Sequence, residues 1–185
     1  MGIFNRKKSF EEYLASMSDK QYEYIKKYTV PKAELCGVLL EDITYLPYDV
    51  LKHDVPDLLK ELKFEQAIYE VVRHKNSKIT IKDIIKAKNP HKLSFVLWLK
   101  VQYDMINQIE NKYLSSPPEP KLIASGIRDL DVLEDINVID QLAGGDILKW
   151  QAIRQLPYND IFNKQLKNVL ENKINKKLIE INNAK

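Results

Sequence analysis

The segment that opens at Asn89-Pro90 constrains this chain more than any other. Proline suits the first helical position, because its φ is already helical and its missing N–H is one that a helix start leaves unpaired anyway. With Phe95 as reference at about 100° per residue, Trp98, Leu99, Ile106, Ile109 and Tyr113 fall within about 60° either side and Met105 within about 80°. In the first half Leu93, Val96, Leu97 and Val101 cover the other faces as well. A helix that is apolar all round is a surrounded helix. The sequence therefore predicts a central core helix over about 90–114, with each large buried side chain contributing about 1.5–3 kcal/mol.

The remaining signals are helical too. Five glycines in 185 residues argue against a hairpin-rich β fold, which needs left-handed turn residues at short intervals. Ser9 with Glu12 and Ser18 with Gln21 form capping boxes, predicting helices over 10–17 and 19–28 with Tyr13, Tyr22, Tyr24 and Tyr28 as aromatic surface. Pro31 is expected to start a helix through Leu35, Val38 and Leu39. Leu46-Pro47-Tyr48-Asp49 reads as a turn opening a short helix, and Asp54 with Pro56 as the start of a longer one to about Lys75. Lys78-Ile79-Thr80-Ile81 alternates like a strand but is too short to stand alone, so Thr80 is read as the cap of a helix through Lys86.

Ser115-Ser116-Pro117-Pro118-Glu119-Pro120 is the one clear linker. Beyond it, Asn137 is expected to cap a helix over 138–143 that Gly144-Gly145 ends, and Asp146 to cap another over 147–156. Pro157 opens the last helix, towards Ile181. Its apolar residues Phe162, Leu166, Leu170, Ile174, Leu178 and Ile181 stand mostly four apart. That spacing drifts about 40° per step, so the helix reads as an arm that packs near its start and projects near its end. The expectation is an all-α, multi-helix bundle with a long central helix and a projecting C-terminal helix. Its parts are an N-terminal helical domain over 1–114, a proline-rich linker over 115–122 and a C-terminal segment over 123–185. Leu46-Pro47-Tyr48-Asp49-Val50-Leu51 is echoed by Leu156-Pro157-Tyr158-Asn159-Asp160-Ile161. The echo reads as two independent proline-started helices, or else as a duplicated helical unit.

The one cysteine, Cys36, excludes an intramolecular disulfide framework and fits a reducing compartment. The basic start, Met1 to Lys8, has no apolar run after it and is no signal peptide; Arg6 stands where myristoylation wants Ser or Thr. The longest apolar run, Phe95 to Leu99, is far short of a membrane span. A soluble, cytoplasmic chain with no membrane partner is expected.

No constellation carries catalysis. Gly2, Gly37, Gly126, Gly144 and Gly145 build no phosphate loop, and Asp146 would repel an anion after Gly144-Gly145. His53, His74 and His91 lie apart without metal-ligand spacing, and Cys36 sits in an apolar run with no adjacent base. Glu11-Glu12, Glu41-Asp42 and Glu134-Asp135 are adjacent pairs whose members diverge by about 100° on a helix. No enzymatic activity, metal or cofactor is expected.

Charge is distributed unevenly. Arg73, Lys75, Lys78, Lys82, Lys86, Lys88 and Lys92 face a single acid, Asp83, within their stretch. From Asp104 to Asp146 nine acids, including Asp129, Asp131, Glu134, Asp135 and Asp140, outnumber three basic residues. Three readings stand: two solvated faces, a head-to-tail contact between the basic stretch of one subunit and the acidic stretch of the next, or lysines on nucleic-acid phosphates. The basic stretch has little arginine and no interleaved aromatics, which speaks against base recognition. Trp150 and the N-terminal tyrosines are candidate interface anchors or core.

Leu142-Ala143-Gly144-Gly145-Asp146-Ile147-Leu148-Lys149-Trp150, leading into Leu156-Pro157-Tyr158 and a Lys/Asn-rich final helix, resembles small helical structural proteins of tailed bacteriophages. The resemblance covers about 137–182. It implies a non-enzymatic virion protein made in the host cytoplasm, a subunit of a head–tail connector or adaptor ring. Such a subunit would contact itself, portal and tail components, with incidental DNA proximity. The alternatives are a tail assembly chaperone absent from the particle, or a nucleic-acid-binding regulator using residues 73–92. The last helix, with Phe162, Leu166, Leu170, Ile174 and Leu178, is the expected partner-contact arm.

Overall fold

The computed structural model describes residues 10–115, 120–133 and 135–183, and these are mostly helical, with a minimal two-stranded hairpin among them. It divides into two compact units, Met1–Met105 and Ile106–Lys185. The division falls inside the long helix, ahead of the expected linker, of which residues 116–119 lie outside the described residues, as do Ser9 and Glu134.

The first unit begins with α1 (Phe10–Ala15) and α2 (Asp19–Tyr28). At α2 the predicted box closes: the Ser18 N–H donates to Gln21 Oε1 at 2.9 Å and the Gln21 N–H to Ser18 Oγ at 3.3 Å. The helix expected after Pro31 does not form. In its place β1 (Glu34–Leu35) pairs antiparallel with β2 (Val38–Leu39), Glu34 opposite Leu39 and Leu35 opposite Val38. The turn residues Cys36 and Gly37 have φ of 51° and 74°. Two successive positive φ values are what a two-residue mirror-image turn requires, and Gly37 takes the second without cost. Leu35 and Val38 then point into the core.

The helix after Pro47 starts with a π-helical turn, Val50–Asp54, and passes into α3 (Val55–Lys60). The Val55 N–H reaches back five residues to the Val50 carbonyl. Five residues beyond Leu51 stands Pro56, which has no N–H to give, so that carbonyl lacks a wide-turn partner. The Tyr103 hydroxyl donates to it at 2.9 Å. The expected continuous helix to Lys75 is broken. Leu62 sits at φ 60°, with Lys63 N–H on Leu58 O at 2.8 Å and Leu62 N–H on Leu59 O at 3.1 Å. This bond pair is a Schellman stop, here without the usual glycine. Helix α4 (Phe64–Lys75) follows, then α5 (Ile81–Lys86). Thr80 caps α5 as expected: its N–H and hydroxyl both donate to Asp83 Oδ2, at 2.9 and 2.6 Å.

The long helix α6 (Asn89–Tyr113) matches its predicted span. Leu93, Phe95, Trp98, Leu99 and Ile106 are buried, and Phe95 packs on Trp98 with ring centroids 5.3 Å apart. The expectation of burial on every face needs correction, because Val101, Met105, Ile109 and Tyr113 are exposed.

In the second unit α7 (Pro120–Ala124) and a 3₁₀ segment (Ile127–Leu133) precede α8 (Ile136–Ala143). Asp135, not Asn137, occupies the N-cap of α8, and Asn137 lies inside the helix with its side-chain amide donating to the Leu130 carbonyl at 2.9 Å. Gly144 ends α8 at φ 68°, with Gly145 N–H on Asp140 O at 3.0 Å. Asp146 accepts from the Leu148 N–H at 3.1 Å and opens a 3₁₀ turn (Ile147–Lys149) into α9 (Trp150–Arg154). The last helix, α10 (Tyr158–Asn183), anchors through buried Tyr158 and Ile161. The Tyr158 hydroxyl donates to Glu110 Oε1 at 2.8 Å and its ring stacks on Phe162.

The echoed motifs adopt one local geometry. Leu46 N–H bonds Ile43 O (3.2 Å) and Leu51 N–H bonds Pro47 O (3.0 Å); Leu156 N–H bonds Ile153 O (3.0 Å) and Ile161 N–H bonds Pro157 O (3.3 Å). Tyr48 and Tyr158 are both buried. The pattern Ile-x-x-Leu-Pro-Tyr thus encodes a turn, a proline start and a buried tyrosine twice over.

Candidate docking surfaces

The basic stretch occupies the end of α4, the turn into α5, α5 itself and the start of α6, all in the first unit. Its residues do not form one cationic face. Lys92 is only 1% exposed: its ammonium pairs with Glu65, lies 5.3 Å from the Phe10 ring centre, and is 3.4 Å from the Ile85 carbonyl. It shares the buried stripe of Phe95 and Leu99, three and seven residues on, which is the signal that could have marked it as a core cation. Arg73 Nε donates to Glu70 Oε2 at 2.7 Å, and its guanidinium carbon lies 5.9 Å from the Tyr69 ring centre. Lys75 reaches over Tyr45 at 5.7 Å. Lys78, Lys82, Lys86 and Lys88 are left exposed, with Lys82 and Lys86 four apart on α5.

The hydrogen bonds from Thr80, with a smaller contribution from Lys86, hold the Asp83 carboxyl below its usual range. Partial burial, then Arg73, pushes the His74 imidazole down, so it favours the neutral form. The Cys36 thiol points at the Asp83 carbonyl, 3.6 Å away, and burial pushes its pKa up, with Asp83 adding to the effect. A protonated thiol is a poor nucleophile. Tyr45 is raised to about 12 by burial and then by Asp42. Among the described residues no three His, Cys, Asp or Glu side chains converge as a metal site would need, and no helix is long and apolar enough to cross a membrane.

Apart from Asp104, the acidic stretch lies in the second unit. Asp135 pairs with Arg154 at 3.7 Å and Asp140 accepts from Trp150 Nε1 at 3.1 Å, so both serve local structure. Asp129 is exposed, while the Asp131 side chain and all of Glu134 lie outside the described residues. Apolar side chains are exposed beside these acids: Leu130, Leu133 and above all Val132, at 81%, with Leu148 at 88% further on. On the arm Phe162 and Leu166 are half-buried, whereas Leu170, Ile174, Leu178, Ile179 and Ile181 are each at least 50% exposed. From Glu171 to Asn183 every residue is exposed.

One surface has no counterpart in the sequence reading. Pro56, Leu59 and Phe64 on one side and Val96 and Tyr103 on the other line an apolar groove of about 460 Å³, with Lys60 and Lys100 also lining it. A smaller cleft of about 380 Å³ lies between the hairpin turn and the start of α6, lined among others by Lys32, Glu34, Cys36, Lys88 and His91. The groove joins residues about forty apart in sequence, so only the α3–α4 break and the register of α6 create it. Comparison of the chain with protein-family models, with curated proteins and with solved structures finds no match.

Proposed function

We propose that this chain is a non-enzymatic structural subunit that works by docking to copies of itself and to other proteins, as a ring subunit at the head–tail junction of a tailed bacteriophage. In this reading the first unit is a helical bundle around the long helix and α10 is a projecting arm. The observation that carries the docking claim is the outer part of α10. Ile174, Leu178, Ile179 and Ile181 are more than half exposed over a run in which no residue is covered. A soluble helix whose burial does not offset its ordering entropy is marginal, and an exposed aliphatic surface of this kind marks a contact surface. The phage assignment is supported by the resemblance of residues 137–182, with portal and tail components as partners and the virion as location.

The exposed lysines Lys78, Lys82, Lys86 and Lys88 and the acidic stretch that ends at Asp146 supply complementary charges for a head-to-tail contact, which closes into a ring when the rotation allows. Mass determination in solution and the protein content of purified particles test the proposal. A closed oligomer retained in the particle is the expected result. A chain absent from particles but bound to an unassembled virion protein would be a chaperone instead. Tight DNA binding that falls steeply with salt would place the lysines on phosphates.

A further inference from the structure

We infer that the apolar groove of the first unit receives the 3₁₀ segment Ile127–Leu133 from a second copy of the chain. The inference rests on the reading that copies associate, and it names the surfaces that meet. The groove presents Pro56, Leu59, Phe64, Val96 and Tyr103, and no carboxylate lines it; its polar lining is Lys60 and Lys100. Lys60 pairs with Asp57, three residues before it, in an exposed contact at 3.0 Å, and such a pair exchanges readily for a better partner. The groove walls are braced. The Tyr103 hydroxyl is fixed on the Leu51 carbonyl, and Phe64 packs edge-on against Phe10 at 5.9 Å.

The proposed occupant has the opposite character. Leu130, Val132 and Leu133 are exposed aliphatics in a stretch whose sequence also carries Asp129, Asp131 and Glu134 against the single Arg128, Asp135 being held by Arg154. Leu130 and Leu133 are three apart, which in a 3₁₀ turn sets them one above the other on a single edge, with Val132, the most exposed of the three, about 120° round on the adjoining edge. The segment is already shaped, with Asn137 holding the Leu130 carbonyl at 2.9 Å and Asp129 N–H on Gly126 O at 2.9 Å. A preformed apolar edge loses little ordering entropy on docking. Charge also separates this segment from other exposed aliphatics in the same unit. Ile147 and Leu148 are flanked by Asp146 and Lys149, which pair with each other at 3.1 Å and leave no net charge to match the lysines. The outer part of α10 is itself rich in lysine, with Lys173, Lys176 and Lys177, and would meet Lys60 and Lys100 with like charge.

The test uses the full chain. Two preparations in a Cys36→Ser background, one carrying Leu59→Cys and the other Val132→Cys, are mixed under mild oxidation. A disulfide joining the two is expected. In sedimentation velocity Val132→Asp and Lys100→Glu each weaken association about tenfold or more, and Asp129→Lys partly restores Lys100→Glu. Association that survives Val132→Asp and Lys100→Glu with no cross-link overturns the groove contact while self-assembly stands. A chain that stays monomeric at every concentration overturns both. A disulfide formed within single chains carrying both cysteines, in a monomeric preparation, makes the occupant the chain's own segment and overturns the second copy.

Discussion

Residues 10–105 bury nineteen apolar side chains among those described, including Phe10, Ile43, Leu51, Ile68, Phe95 and Leu99; residues 106–183 bury five, Ile106, Ile139, Ala143, Tyr158 and Ile161. The first unit is longer, 105 residues against 80, but that difference is far smaller than the gap in burial. Small domains bury a modest share of their surface even when well packed, and a unit with so thin a core needs covering from elsewhere. The second unit is also where exposed aliphatics concentrate, at Leu130, Val132, Leu133, Ile147, Leu148 and along α10. The first unit is the better packed of the two, and the second leaves the apolar surface uncovered that the proposed docking role requires.

The contrast is open to attack from the scaffold side first. Phe95→Ala removes a fully buried ring beside Trp98 and should cost about 3–5 kcal/mol in urea denaturation. A loss below about 1 kcal/mol would mean the first unit is no better packed than the second. Next comes the buried ion pair. Glu65→Ala strands the Lys92 ammonium inside the core and should cost about 3–5 kcal/mol, whereas Lys92→Met with Glu65→Leu together should be near neutral. Equal effects of the single and the double change would remove Lys92 from the core account. Tyr103→Phe leaves the Leu51 carbonyl without its donor and should cost about 1–3 kcal/mol. If stability does not change, the carbonyl has found water and the groove wall is looser than described.

The smallest effect is the acid limb at α5. The folded Asp83 carboxyl titrates below its ordinary 3.8, so its contribution is present above that value and disappears as pH falls through the lower folded value. Asp83→Asn should therefore flatten the dependence of stability on pH below about 4. An unchanged acid limb would show that the Thr80 hydrogen bonds do not persist in solution.

What was legible in the sequence follows the physics of each signal. The span of α6 came from a proline start and sustained 3.6-residue periodicity, and the caps at Ser18, Thr80 and Asp146 came from side-chain chemistry that acts within three residues. The hairpin at Cys36-Gly37 was hidden because two-residue strands show no alternation, and Leu35, Val38 and Leu39 have helical spacing by accident. The stop at Leu62 was hidden because its left-handed residue is not glycine. Lys92 reads as a surface charge in the sequence because its partner, Glu65, is on another helix, and the groove is invisible there for the same reason. Long-range pairing leaves no local mark.

Hydrogen exchange measured at low and at high protein concentration tests the division of labour most directly. The account predicts that amides of 127–133 and 171–183 exchange fast when dilute and gain protection when concentrated, while the buried stretches of α4 and α6 stay protected throughout. Protection of 127–133 and 171–183 that is already full in the dilute monomer, and does not move with concentration, would contradict it.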